Sequence, residues 1–265
     1  MERDSDADLL LGLYRDAMSC PRSEFQDRAV RVLRRALRFE SAIWGGGYLD
    51  GAGGLGGRLV PLQVHTDEID PAGLEHWKAI NLADKVIPIT IATPGRTHAF
   101  HAPTLFSAKA DGVMRDYARR FGRQSYLVTS FCAVDSTVRE WCSLYRPDAD
   151  DQFTDAERAR CQVLATHLRQ ALDVNTRLLG GSPGATAPES TDDRAAHTAL
   201  ATPAGHLVSA QPAFTSACAA RWREFDGRRL PAAVLKALLE GRGVVRFAKF
   251  TLSSRPMAGL LWLRL

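Results

Sequence analysis

Tyr126–Tyr145 reads YLVTSFCAVDSTVREWCSLY, and eight residues later Phe153–Arg158 reads FTDAER. The first stretch holds two β-branched and aromatic runs, Tyr126–Val134 and Val138–Tyr145, with Asp135-Ser136-Thr137 between them. That pattern predicts an antiparallel hairpin. The second stretch predicts a helix start, because Thr154 is followed three residues later by Glu157, the spacing of a capping box. Cys161, Leu164, Leu168, Leu172, Asn175 and Leu178 then recur near the helical period, which predicts a helix of about 25 residues, long for a globular protein. Its apolar stripe has two uses open to it, packing on the chain's own sheet or forming a dimer seam. A hairpin delivered onto an amphipathic helix belongs to an α+β fold with an antiparallel sheet.

Upstream, Ser41–Tyr48 and Arg58–His65 read as a second hairpin across a glycine-rich turn. Its glycines lack the Lys-Ser/Thr or G-x-G-x-x-G spacing of a phosphate cradle. Two helices precede it. One carries Leu10, Leu13, Tyr14, Ala17 and Met18; the other, with Ser23 as candidate N-cap, carries Phe25, Ala29, Val32, Leu33, Ala36 and Leu37. Arg28, Arg31, Arg34, Arg35 and Arg38 share the opposite face of the second, a solvated face or a phosphate-binding surface. Pro71–Ala83 predicts a helix entered through Asp70 and Pro71. Val86–Ile91 stays open between strand and helix, since Pro88 argues against a central strand. Pro94-Gly95-Arg96 is a turn, and Asp111–Phe121 has helical spacing.

Downstream, 180–196 is rich in Gly, Pro, Ser and Thr and has no apolar residue larger than Ala, so it reads as a flexible linker. It separates a larger domain, 1–179, from a smaller one, 197–265. The tail predicts short strands Thr198–Ala201 and Leu207–Ser209, helices Pro212–Arg223 and Leu230–Leu239, and two closing strands, Val244–Leu252 and Met257–Leu265.

The 265 residues are 45% hydrophobic and 24% charged, an ordinary globular composition. A net charge of +4 is too small to imply nucleic-acid binding without a clustered basic face. The acidic N-terminus lacks a secretion segment and no apolar run reaches membrane-spanning length, so the expectation is a cytoplasmic protein without a membrane partner. Five scattered cysteines form neither a disulfide framework nor a zinc pattern. No nucleophile elbow, H-E-x-x-H or P-loop is present, and Asp148, Asp150 and Asp151 lack calcium-loop spacing. No catalytic residue, metal or cofactor is therefore expected.

In order along the chain, several features carry a resemblance: the Leu10/Leu11/Leu13-Tyr14 helix; the Phe25–Phe39 helix running into Ser41-Ala42-Ile43-Trp44-Gly45; Pro94-Gly95-Arg96; the strands through Tyr126 and Trp141; Phe153–Arg158 before the long helix; and Gln211-Pro212-Ala213-Phe214. Together they resemble the sensory half of bacterial LuxR-type transcription regulators that carry a GAF-like domain and then a PAS-like segment. The resemblance implies a GAF-like antiparallel sheet with covering helices, followed by a smaller PAS-like α+β domain. It also implies a small-molecule effector, a homodimer, and DNA contact only through a helix-turn-helix domain not found in these residues. The sequence stops at Leu265 within a predicted strand, which leaves open a truncated regulator or a sensor-only protein.

A pocket of that kind is apolar and aromatic with a few orienting polar groups. The candidates are Trp44, Tyr48, Trp77, Phe100, His101, Phe106, Tyr126 and Trp141, which suit an aromatic or amphipathic metabolite. Arg96 is the candidate clamp for a carboxylate. His98 and His101, three apart on an extended segment, point to opposite faces and could share a metal only if the segment turns; one of them could instead donate to a ligand carboxylate, or bond to backbone. Two alternatives stay open: a sensor-only adaptor that binds another regulator, and a GAF-fold redox enzyme working through Cys132 and Cys142.

Overall fold

The computed structural model describes residues 6–50, 58–131, 138–178, 197–241, 243–247, 250–257 and 260–265. The expected Asp135-Ser136-Thr137 turn, Cys132 and the 180–196 linker lie outside them, as does most of the glycine-rich turn. The chain divides into two compact units, Met1–Gly180 and Gly181–Leu265.

In the first unit, helices α1 (Asp6–Ser19) and α2 (Arg22–Ala36) lead into strands β1 (Ser41–Asp50) and β2 (Arg58–Asp67). Helices α3 (Pro71–Ile80) and α4 (Val86–Ala92), strand β3 (Thr97–His101) and the short α5 (Ala102–Leu105) follow. Helix α6 (Gly112–Arg120), strands β4 (Ser125–Phe131) and β5 (Val138–Arg146), and helix α7 (Asp155–Leu178) complete the unit. All strand pairs are antiparallel, in the order β2-β1-β5-β4-β3.

Strand alternation sends successive side chains to opposite faces, and here both faces are buried. Ala42, Trp44, Leu127, Cys142 and Leu144 meet α1, α2 and α7 through Leu13, Phe25, Leu33, Leu164 and Leu168. Ile43, Tyr126, Val128, Trp141 and Tyr145 face the other way, toward Val86, Ile87, Phe106, Met114 and Tyr117. The α7 stripe of Cys161, Leu164, Leu168 and Leu172 is therefore buried inside its own unit. Its polar member, Asn175, is fully buried and donates from Nδ2 to the Ala17 and Cys20 carbonyls at 2.9 and 2.7 Å, satisfying the end of α1.

Local chemistry explains most boundaries. Asp70 accepts a hydrogen bond from the Ala72 amide at 2.8 Å, with Pro71 in the first turn of α3. Val86–Ile91 is helical, and Pro88 sits in the first turn, where no backbone donor is needed. Helix α2 begins at Arg22 after Pro21 and has no side-chain cap, so Ser23 is not its N-cap. Gly47 lies at a register shift of β1 on β2, and a Cβ there would meet the Val60 carbonyl oxygen at 2.4 Å. Close backbone approach accounts for that glycine without a phosphate.

In the second unit, β6 (Thr198–Ala201), β7 (Leu207–Ala210), α8 (Pro212–Arg221) and α9 (Ala232–Glu240) precede β8 (Val244–Phe247), β9 (Phe250–Met257) and β10 (Leu260–Arg264). The sheet order is β7-β6-β10-β9-β8, packed around Phe214, Leu230, Leu238, Leu252 and Leu263. The two expected closing strands are three. Phe247 pairs with Phe250, their rings stacked at 4.4 Å, so the chain reverses inside what reads as one apolar run.

Arg146, at the end of β5, ties the first unit together. Buried to 3% exposure, it donates to the Arg38 carbonyl at 2.8 and 3.0 Å and to the Gln152 carbonyl at 3.1 Å. It also pairs with Asp151 and Glu157 and lies 3.9 Å over the Phe153 ring. Glu157 meanwhile accepts the Thr154 amide at 2.9 Å and the Glu157 amide reaches Thr154 Oγ1 at 3.2 Å, the capping box of α7. Burial works against the Glu157 charge, but the bonds from Arg146 and Thr154 outweigh it and hold its pKa below the ordinary value. Arg146→Met is expected to destabilise the first unit by about 2–3 kcal/mol in urea at pH 7, less than the ~3–5 kcal/mol for breaking a fully buried pair, because Glu157 keeps some water. A glutamate held below its unfolded pKa contributes stability above that pKa and loses it as pH falls, so the deficit should shrink below about pH 4.

Candidate functional site

The sheet face opposite α7 does not close completely. Between it and α3, α4 and α6 lies a cavity of about 70 Å³. Ile43, Leu59, Leu74, Ile87 and Met114 supply its apolar wall, and Asp84, Thr90, Tyr117, Arg123, Tyr126, Ser130, Arg139, Ser143 and Tyr145 bring polar atoms to it.

Each polar group is positioned by an identifiable local device. Asp84 starts α4: one carboxylate oxygen accepts the Val86 amide at 3.0 Å and the other accepts Trp77 Nε1 at 2.8 Å. It is half-buried and lines the cavity, and burial raises its pKa against the opposing pull of these two bonds and of Arg123. Tyr117 projects from α6, and its hydroxyl is buried without a partner. Burial also pushes the Tyr117, Tyr126 and Tyr145 phenols up, so all three are neutral hydrogen-bonding groups at neutral pH. Arg123 enters through the end of α6. The Phe121 amide returns to the Tyr117 carbonyl at 3.0 Å, Gly122 takes φ +62°, and the Arg123 amide returns to the Ala118 carbonyl at 2.7 Å. That left-handed turn favours glycine, and a Cβ on Gly122 would also approach Pro147 Cβ at 3.1 Å. The Arg123 guanidinium lies 5.0 Å from the Tyr117 ring and 4.9 Å from the Tyr145 ring.

Four of the nine residues proposed from sequence line the cavity: Trp77, Phe106, Tyr126 and Trp141. Phe100 stands on the same sheet face and packs against Tyr126 at 5.6 Å, outside the lining. Trp44 is on the opposite face, edge-on to Phe25 at 6.2 Å, and Tyr48 shares its strand parity. Arg96 is exposed in its turn. His101 Nδ1 lies 2.8 Å from Thr104 Oγ1, and His98 Nε2 lies 2.6 Å from Thr93 Oγ1. Of the five arginines on α2 and just beyond it, Arg28, Arg34 and Arg38 pair with Asp16, Asp67 and Asp151.

Sequence reasoning missed Asp84, Tyr117, Arg123 and Tyr145. Tyr145 was within reach, because it shares strand parity with Trp141. Arg123 carried a weaker signal, a cation between a helix-ending glycine and a buried strand. The redox alternative finds no support at Cys142. Its thiol is buried, and burial raises its pKa, as it raises that of Cys161 to about 12; a thiol held protonated is a poor nucleophile.

No protein-family model and no curated protein matches this sequence. Among solved structures, the chain is similar to CepR2 of Burkholderia cenocepacia, described as an N-acylhomoserine lactone-dependent LuxR-family transcription factor. Identity is 15%, the TM-score is 0.50, and the match covers 66% of this chain and 96% of that one. The likeness is one of fold. SdiA of Escherichia coli is matched at 11% identity and TM-score 0.47 over 67% of this chain and 70% of that one. The LBD domain of VqsR from Pseudomonas aeruginosa is matched at 12% and 0.45 over 65% and 96%.

Trp77→Phe is expected to cost about 1 kcal/mol in urea at pH 8, because it leaves a half-buried carboxylate one donor short. Losing that donor raises the Asp84 pKa further, and a protonated Asp84 needs it less. The cost should therefore be largest where Asp84 is ionised and shrink as pH falls through its raised pKa.

Proposed function

We propose that this chain is the effector-binding sensory region of a LuxR-type transcription regulator. The observation that carries the proposal is the largely apolar cavity of the first unit, on which a half-buried carboxylate, the buried guanidinium of Arg123, the Arg139 side chain and three phenols converge. Few convergent polar groups in an apolar enclosure are the pattern of a small-molecule site. The fold shared with CepR2, a regulator described as acyl-homoserine lactone dependent, supports the same reading. The two sheets repeat one strand order, which supports reading the chain as a GAF-like unit followed by a PAS-like one.

The effector works by binding two arrangements of the first unit with different affinity, since equal affinity for both shifts nothing. Helix α7 packs on β3 and β4 and on α1 and α2, so it is the element through which a change at the sheet travels to a helix-turn-helix output. A homodimer is part of the proposal, and a monomer at every concentration in sedimentation equilibrium overturns that part.

Native mass spectrometry and thermal shift test the core of it. A bound metabolite stabilises the folded chain by about 2.7 kcal/mol at one hundred times its dissociation constant. Met114→Trp, which fills the cavity, is expected to abolish both the retained mass and the shift while leaving a cooperative urea transition. Persistence of binding in that variant places the ligand elsewhere. Absence of any bound mass or shift in the wild type favours an adaptor that binds another regulator.

A further inference from the structure

The first unit buries two arginines almost equally, Arg146 at 3% exposure and Arg123 at 4%. Arg146 spends its donors on two backbone carbonyls and two carboxylates. Arg123 is the opposite case. Among the described residues its side chain makes no hydrogen bond or ion pair, and its Nε is buried without a partner. Its company is the faces of Tyr117 and Tyr145. Asp84 feels its charge, but gives its two oxygens to Trp77 and the Val86 amide.

An arginine does not escape burial by losing its proton. A buried, unpaired cation is costly, and ring faces offset only part of that cost. The missing partner belongs in the cavity that Arg123 lines. Beside it the Tyr117 hydroxyl is also buried and unpartnered. A fork of N–H donors with a neutral phenol alongside is the complement of a planar anion with two oxygens. Leu59, Leu74, Ile87 and Met114 give the same cavity an apolar side. Arg139 also lines the cavity, but the two unpartnered donors that lie beside each other are those of Arg123 and Tyr117, and one guanidinium with one phenol matches a single negative charge.

We propose that the effector is a hydrophobic monocarboxylate, alkyl or aryl, whose carboxylate is bound by Arg123 with the Tyr117 hydroxyl donating beside it. This rests on reading the cavity as the effector site, and it moves the anion clamp from Arg96, exposed in its turn, to Arg123.

The test is calorimetric titration of the full chain with hexanoate, 4-phenylbutyrate and indole-3-acetate, each beside its primary amide, which keeps the shape and removes the charge. In the wild type, the acids that fit are expected to bind at least tenfold tighter than their amides. Arg123→Gln should erase that preference, and Arg123→Lys should keep part of it. The ligand-free Arg123→Gln protein should unfold at the same or a higher urea concentration than the wild type, whereas an arginine with a structural role would lower it. Amides that bind as tightly as acids, or an acid preference that survives Arg123→Gln, overturn the carboxylate while the effector reading stands. Failure of every acid and amide to bind the wild type overturns both.

Discussion

The central strands of the first unit's sheet send their apolar side chains into two cores, and the rest of the unit depends on that partition. Trp44, Cys142 and Leu144 pack under α1, α2 and α7, while their neighbours Ile43, Trp141 and Tyr145 face α3, α4 and α6. A one-residue slip would exchange the two sets. The helix face is filled with aliphatic and aromatic side chains that interlock closely. The other face is covered by shorter helices and carries Tyr126, Tyr145 and Trp141 around the cavity. One sheet thus has a packed side that fixes register and an incompletely filled side free for a ligand.

The two sides also treat charge differently. Where β5 ends, Arg146 joins the α2–β1 connection, the loop before α7 and the capping box into one satisfied polar cluster, a device for rigidity. Across the sheet, Asp84, Tyr117 and Arg123 are held by helix starts and helix ends, their remaining capacity turned inward. Groups set by backbone geometry stay in place without a ligand, which lowers the ordering cost when one arrives.

Much of the fold was legible in the sequence because local chemistry and tertiary structure agree. The Thr154–Glu157 box, Asp70-Pro71 and the Tyr126–Tyr145 hairpin each state their structure within a few residues. The reversal between Phe247 and Phe250 was not legible, because Val244–Leu252 contains no Gly, Pro or Asn to announce a turn and the stacked rings that stabilise it join only once it has formed. The site was half legible for a related reason. Aromatic residues signal burial but not which face they occupy, so Trp44 and Trp141, alike in sequence, went to opposite cores. Arg123 and Asp84 are ordinary charged residues in sequence; only the folded chain shows the first buried and the second half-buried on one cavity.

Gly122 sets unequal freedom to vary around this cavity. Its positive φ and its approach to Pro147 restrict that position to glycine, and the same turn aims Arg123. The wall is under no such restriction. Volume-conserving exchanges among Leu, Ile and Met, as at Leu59, Ile87 and Met114, usually cost less than about 1.5 kcal/mol. Under drift, the outline of the cavity can therefore be recut by single substitutions while the position of its buried cation stays put. Chains descended from this one would diverge first in the shape they accept and last in the charge.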